Sequence, residues 1–96
     1  MVSRTTSWKG SAEALDRWAA HVRERVAPFV KTLRGNAGAF FFIDRERGTA
    51  LTLTLWESEE AARETDRFAD QSRAKTVAAT GVEMIERGKY EVVTHL

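Results

Sequence analysis

LTLTLWESEEAARETD, residues 51–66, changes its period in the middle. Leu51, Leu53 and Leu55 alternate with Thr52, Thr54 and Trp56, the two-residue repeat of a strand. Glu57-Ser58-Glu59-Glu60 follows at once, and from there Ala61, Ala62, Thr65, Phe68, Ala69 and Ser72 make a helical stripe of mostly small residues. Ser58 is a candidate N-cap, and Glu59 and Glu60 suit the positive end of a helix dipole. A small-residue stripe lets a helix sit close to whatever it covers. The stretch therefore predicts a strand that hands over to a helix packed tightly on it.

Upstream, AFFFI and ALTLTLW read as the two strands of a hairpin joined by DRERG, with Asp44 and Gly48 as its turn residues. RGNAG before it is a loop. Further back, Leu15, Trp18, Ala19, Val22 and Val26 recur at helical offsets, in a helix beginning near Ala12 with Ser11 as N-cap. Pro28 is expected to kink or break that helix, leaving Phe29, Val30 and Leu33 in a second short turn. A first strand is expected over Val2 to Trp8. Downstream, AKTVAATG reads as a weaker helical piece ending at Gly81, and VEMIERGKYEVVTHL holds a last strand with a bulge or bend at Gly88. The order is β-α-β-β-α-β. It predicts an α+β, ferredoxin-like domain over residues 1–96, a four-stranded antiparallel sheet with helices on one face.

That sheet has an unusual second face. Phe40 and Phe42 point one way and Phe41 the other, and the leucines of 51–55 lie opposite Thr52, Thr54 and Trp56. A sheet apolar on both sides needs a second cover, most simply a twofold copy of itself. A homodimer through the helix-free face is the expectation.

Composition narrows the function classes. The 96 residues carry 15 basic and 14 acidic side chains, a net charge of +1, with the two signs interspersed. Neither nucleic acid nor an anionic membrane is implied as a partner. No apolar run is long enough to span a bilayer, and MVSRTTSWKGS has no signal-peptide core. With no cysteine, disulfides, thiol catalysis and thiolate metal sites drop out. A cytoplasmic protein is expected. There is no HExxH, EF-hand loop or phosphate-binding glycine loop, and only two histidines lie at distant positions without a matching carboxylate motif, so no metal site is expected.

The glycine-aromatic strand GNAGAFFFIDRERG, the run ALTLTLWESEEAARETD and the closing KYEVVTHL resemble the dimeric α+β-barrel superfamily, and within it the antibiotic-biosynthesis-monooxygenase group. The resemblance implies a dimer whose two sheets pack into a barrel, with a pocket between each sheet and its helices. Some such proteins are cofactor-free monooxygenases of aromatic polyketides; others degrade haem, isomerise or cyclise small molecules. Haem-degrading members use an Asn on the first strand and a Trp and His on the second helix. SRTTSW and EEAARETDRFADQSRAK carry none of these at those places.

The candidate site residues each have two readings. His21 sits at the edge of the apolar stripe, either as a half-exposed surface residue or as a neutral imidazole that accepts a proton in the pocket. Trp18, Phe40 and Phe42 are either core or a wall for a flat ligand. Trp56 anchors the strand–helix corner and could form a pocket wall. Asn36 is either turn chemistry or a hydrogen-bond donor at the pocket mouth. Tyr90 faces either the pocket or the dimer barrel, and His95 lies beside the last residue. Glu13, Asp16, Arg17, Arg23, Glu24 and Arg25 read as a solvated helix face.

The expected function is a small-molecule enzyme, a cofactor-free monooxygenase of an aromatic or polyketide-like substrate with His21 as base. A cyclase or isomerase on the same fold, and a non-catalytic ligand-binding or stress-related dimer, are the alternatives.

Overall fold

The computed structural model describes residues 1–96. Strand β1 (Val2–Lys9) leads into α1 (Ala12–His21), a π-helical turn (Val22–Val26) and α2 (Ala27–Thr32). Strands β2 (Asn36–Asp44) and β3 (Thr49–Trp56) form the hairpin; α3 (Glu59–Glu64), α4 (Asp66–Thr80) and β4 (Glu83–Glu91) complete the chain. The antiparallel sheet runs β2-β3-β1-β4. This is the expected β-α-β-β-α-β order, with each helical layer divided in two.

Local chemistry explains the ends of these elements. Ser11 Oγ accepts from the Ala14 N–H and Ser58 Oγ from the Ala61 N–H, both at 3.1 Å. Each satisfies an otherwise orphaned donor of a first turn. Gly81 ends α4 in the left-handed region at φ 80°, where a side chain would be strained. In DRERG the Asp44 carboxylate accepts from the Arg47 N–H at 3.1 Å and Gly48 takes φ 69°.

Three local expectations take a different form. The kink or break expected at Pro28 is replaced by a π-helical turn between α1 and α2. The Ala27 N–H donates to the Val22 carbonyl, a π-type bond, and Pro28 enters in the first turn of α2. The widened turn shifts the hydrogen-bond register just where proline has no N–H to give. The second helical layer divides at Thr65, whose backbone (φ −99°, ψ −2°) leaves the helix, rather than before AKTVAATG. The irregularity of β4 lies between Met84 and Glu86, opposite Ser7 and Trp8, and not at Gly88, which pairs regularly with Thr5.

Register divides the sheet into two faces. Toward the helices lie the cross-strand rows Ile43–Ala50–Trp8–Met84, Phe41–Thr52–Thr6–Arg87 and Ala39–Thr54–Arg4–Lys89. Away from them lie Phe42–Leu51–Ser7–Glu86, Phe40–Leu53–Thr5–Gly88 and Gly38–Leu55–Ser3–Tyr90. The core gathers at one end of the helix side, where Trp8, Ala14, Leu15, Trp18, Val22, Ala50 and Val82 are buried together. Phe41 joins it edge-on to Trp18 at 6.4 Å. The small residues of α3 allow close approach: Ala62 is buried, and a Cβ on Gly35 would stand 2.6 Å from that of Ala61.

Candidate functional site

Between the helix-facing side of the sheet and the helices lies a cavity of about 650 Å³. Its apolar wall is made by Trp8, Trp18, Trp56, Phe29, Val26 and Leu33. Strand β1 supplies Arg4, Thr6 and Trp8 to it because alternate residues share a face. Strand β3 supplies Thr52, Thr54 and Trp56 for the same reason.

The β3 threonines have an identifiable task. Trp8 Nε1 donates to Thr52 Oγ1 at 3.1 Å, and Trp56 Nε1 donates to Thr54 Oγ1 at 3.0 Å. Both indoles are 3% exposed, so their N–H groups need internal acceptors. The Thr-Leu alternation of residues 51–55 thus puts hydroxyls under the tryptophans and leucines on the opposite face.

One side of the cavity is charged. Asp66, Asp70 and Arg73 reach it from α4, Arg87 and Lys89 from the edge strand β4, and Arg4 from the middle of the sheet. Asp70 pairs with both Arg73 and Arg87. Arg4 is the most enclosed of the cations, with 16% of its side chain exposed. Its Nε is buried without a hydrogen-bond partner, and its Nη2 lies 3.8 Å from Glu59 Oε1.

The residues singled out in the sequence separate into three places. Trp18 and Trp56 both line the cavity. Phe40 and Phe42 do not. Their rings stack 6.0 Å apart on the helix-free face, about half exposed, and the phenylalanine that faces the helices is Phe41. Tyr90 shares that outer face, opposite Ser3. A Cβ on Gly88 would stand 2.5 Å from the Tyr90 ring, so the missing side chain makes room for the phenol ring over the strand. Asn36 serves the backbone where the β2–β3 register shifts. Its amide donates to the carbonyls of Gly38 and Leu55, and its oxygen accepts from the Gly38 N–H.

His21 ends α1 and is not among the residues lining the cavity. At 100° per residue it stands about 90° round the helix from the centre of the Leu15–Trp18–Val22 stripe. Burial and the neighbouring Arg25 guanidinium hold its pKa below the ordinary 6.5, with Glu24 opposing them. His95 follows the last strand and is exposed. Arg17 departs from the solvated-face reading: its Nε donates to the Thr80 carbonyl at 3.0 Å and so closes the end of α4.

Sequence reasoning missed Arg4, Trp8, Thr52, Thr54, Arg87 and Lys89. The signal was present in SRTTSW, where Arg4 shares its parity with Thr6 and Trp8. A charge that alternates in step with a buried tryptophan on a central strand points into the protein. No group of three or more His, Cys, Asp or Glu side chains is arranged to hold a metal ion. No helix is long and apolar enough to cross a membrane.

No family profile matches the chain. Among curated proteins it is 32% identical over 59 residues to the uncharacterized protein Rv2557 of Mycobacterium tuberculosis, a match covering 62% of this chain. It spans only 26% of the length of that relative. Solved structures match over the whole length at lower identity. A point variant of SnoaB, a cofactor-independent oxygenase from Streptomyces nogalater, superposes with a TM-score of 0.76 at 14% identity, covering 99% of this chain and 95% of its own. A monooxygenase from the ActVA-Orf6 gene of Streptomyces coelicolor, in complex with nanaomycin D, gives 0.75 at 13%, covering 99% and 88%. A candidate antibiotic biosynthesis monooxygenase from Deinococcus radiodurans gives 0.73 at 20%, covering 100% and 96%. A dimeric ferredoxin-like protein from an uncultured marine organism gives 0.70 at 10%, covering 100% and 98%. The fold of this chain is therefore the ferredoxin-like α+β fold of the antibiotic-biosynthesis-monooxygenase structures.

Proposed function

We infer that the protein binds a flat aromatic small molecule in the sheet–helix cavity and oxygenates it without a cofactor. The observation that carries this reading is the cavity of about 650 Å³ with three tryptophans and Phe29 in its wall. A volume of that order suits a small ligand of two or three fused rings, and aromatic walls suit its flat faces. Likeness to a cofactor-independent oxygenase and to a monooxygenase carrying nanaomycin D supports the same class.

The chemistry would run through the substrate. A doubly activated C–H loses its proton to a carboxylate, and the carbanion gives one electron to dioxygen. The two radicals join through a new C–O bond to form a peroxide anion. That anion takes up the proton and loses water, so that CH2 and O2 become C=O and H2O. The protein's part is to hold the ring system, exclude bulk water and hold the proton. Asp66 is the lining carboxylate free of an ion pair, since Asp70 is engaged by Arg73 and Arg87. Asp66 rather than His21 is accordingly our proton acceptor.

The same reading includes a homodimer through the helix-free face, where Phe40, Phe42, Leu51, Leu53 and Tyr90 stand together. Oxygen uptake with 1,8-dihydroxyanthrone tests the activity. One dioxygen consumed per quinone formed, faster than without protein, is the expected result. Asp66→Asn should slow it and His21→Ala should not. Binding with no added oxygen uptake would discard the oxygenase reading and leave a cyclase, an isomerase or a ligand carrier.

A further inference from the structure

The row Ala39–Thr54–Arg4–Lys89 sets two cations directly opposite each other, Arg4 on β1 and Lys89 on β4. Both line the cavity, and Arg87 lies one row away on the same face. Like charges directly opposite in an antiparallel pair repel and cost stability. The local acids do not remove the conflict. Glu59 is 3.8 Å from Arg4 Nη2, beyond hydrogen-bond range, and Asp70 is taken by Arg73 and Arg87.

Arg4 adds a second conflict. It rises from a central strand with 16% of its side chain exposed, and its Nε is sealed from solvent with no acceptor. A buried donor of a charged group that finds no acceptor is a standing cost. The repulsion ends if an anionic oxygen pair enters between Arg4 and Lys89, both of which line the cavity. A guanidinium presents parallel N–H groups to a planar carboxylate, and a lysine ammonium adds a point charge beside it.

We propose that the ligand of this cavity is an aromatic carboxylate, its acid group held by Arg4 and Lys89 and its rings against Trp8, Trp18 and Trp56. The inference rests on the reading of the cavity as an aromatic small-molecule site, and it adds the charge of the ligand. Arg4 and Lys89 act as binding residues that select the anion. The tryptophans select the ring.

The test compares 2-naphthoate with its neutral counterpart 2-naphthamide, followed by tryptophan fluorescence and by calorimetry. The expected result is that naphthoate binds roughly tenfold or more tighter than the amide at low salt, the scale of one charge-assisted pair. The preference should shrink as salt is raised. Lys89→Gln, on an exposed edge strand, should reduce the preference. Arg4→Met should abolish it. The unliganded Arg4→Met protein should melt within a few degrees of the parent, because the substitution removes the Arg4–Lys89 repulsion together with a long, half-exposed ion pair to Glu59. Equal affinity for acid and amide would overturn the anion proposal and leave the aromatic site standing. A preference that survives both substitutions would overturn the assignment to Arg4 and Lys89. Binding of neither compound would overturn both the anion proposal and the aromatic-site reading.

Discussion

A tryptophan on a half-open strand must do two things at once: bury a large ring and satisfy one N–H. Trp8 and Trp56 do both by donating to Thr52 and Thr54 of β3, on the same helix-facing side of the sheet. Thr52→Val keeps the shape and leaves the Trp8 N–H without its acceptor. It should cost about 1–3 kcal/mol by urea unfolding, and Trp8→Phe on top of it should cost less than the two separate changes together. Strict additivity would show that the hydrogen bond contributes nothing. His21 offers a second test at this scale. Its pKa lies below the ordinary 6.5 because of burial and Arg25, with Glu24 opposing. A lowered folded-state value means that the unfolded chain takes up the proton first as pH falls. The neutral imidazole's contribution is therefore complete above pH 6.5 and is lost as pH drops through 6.5 toward the folded value. Between pH 8 and 5 the parent should lose more stability than His21→Gln, and an NMR titration should place the imidazole below 6.5. Identical pH profiles would remove this account.

Element boundaries follow the same logic one level up. The strand-to-helix switch at Trp56–Ser58 works because Ser58 Oγ accepts the Ala61 N–H, while Glu59 and Glu60 sit in the first turn. Ser58→Ala should lower stability by about 1 kcal/mol, read from the urea midpoint. Gly81 sits at φ 80°, and Gly81→Ala should cost about 1 kcal/mol or more through backbone strain alone. The caps, the DRERG turn and the handover were all legible, because each depends on a few adjacent residues. The π turn at Val22–Val26 was not. Proline announces a lost hydrogen bond, but whether the helix breaks or widens depends on what its two ends must pack against. Gly88 misled for a related reason. A glycine in a strand suggests a bulge, whereas this one makes room for the ring of Tyr90.

Across the whole molecule the sheet separates two sets of side chains by parity. One face carries the tryptophans, the threonines and Arg4; the other carries paired phenylalanines and leucines. Phe40 stands opposite Leu53 on that outer face and is about half exposed. A second copy covering it would bury both. The parent protein should sediment as a dimer at micromolar concentration. Phe40→Glu should sediment as a monomer with its far-ultraviolet circular dichroism unchanged, since a buried unpaired carboxylate is costly only in the dimer. A monomeric parent would refute the dimer.

By itself the sequence determined the order of the elements, their caps, the antiparallel hairpin and the presence of two apolar sheet faces. All of these follow from periodicities and short-range hydrogen bonds carried by neighbouring residues. Only the tertiary structure decided which face meets the helices. The two-residue period separates Phe40 and Phe42 from Phe41, and the leucines from Trp56, but it is symmetric between the sides. Helix packing breaks that symmetry, and it placed Trp18 and Trp56 in the cavity and Phe40, Phe42 and Tyr90 outside. The pairing of β1 with β4 sets Arg4 opposite Lys89, 85 positions apart in the chain by their residue numbers. Charge conflict at that distance is a product of strand register, which no local pattern encodes.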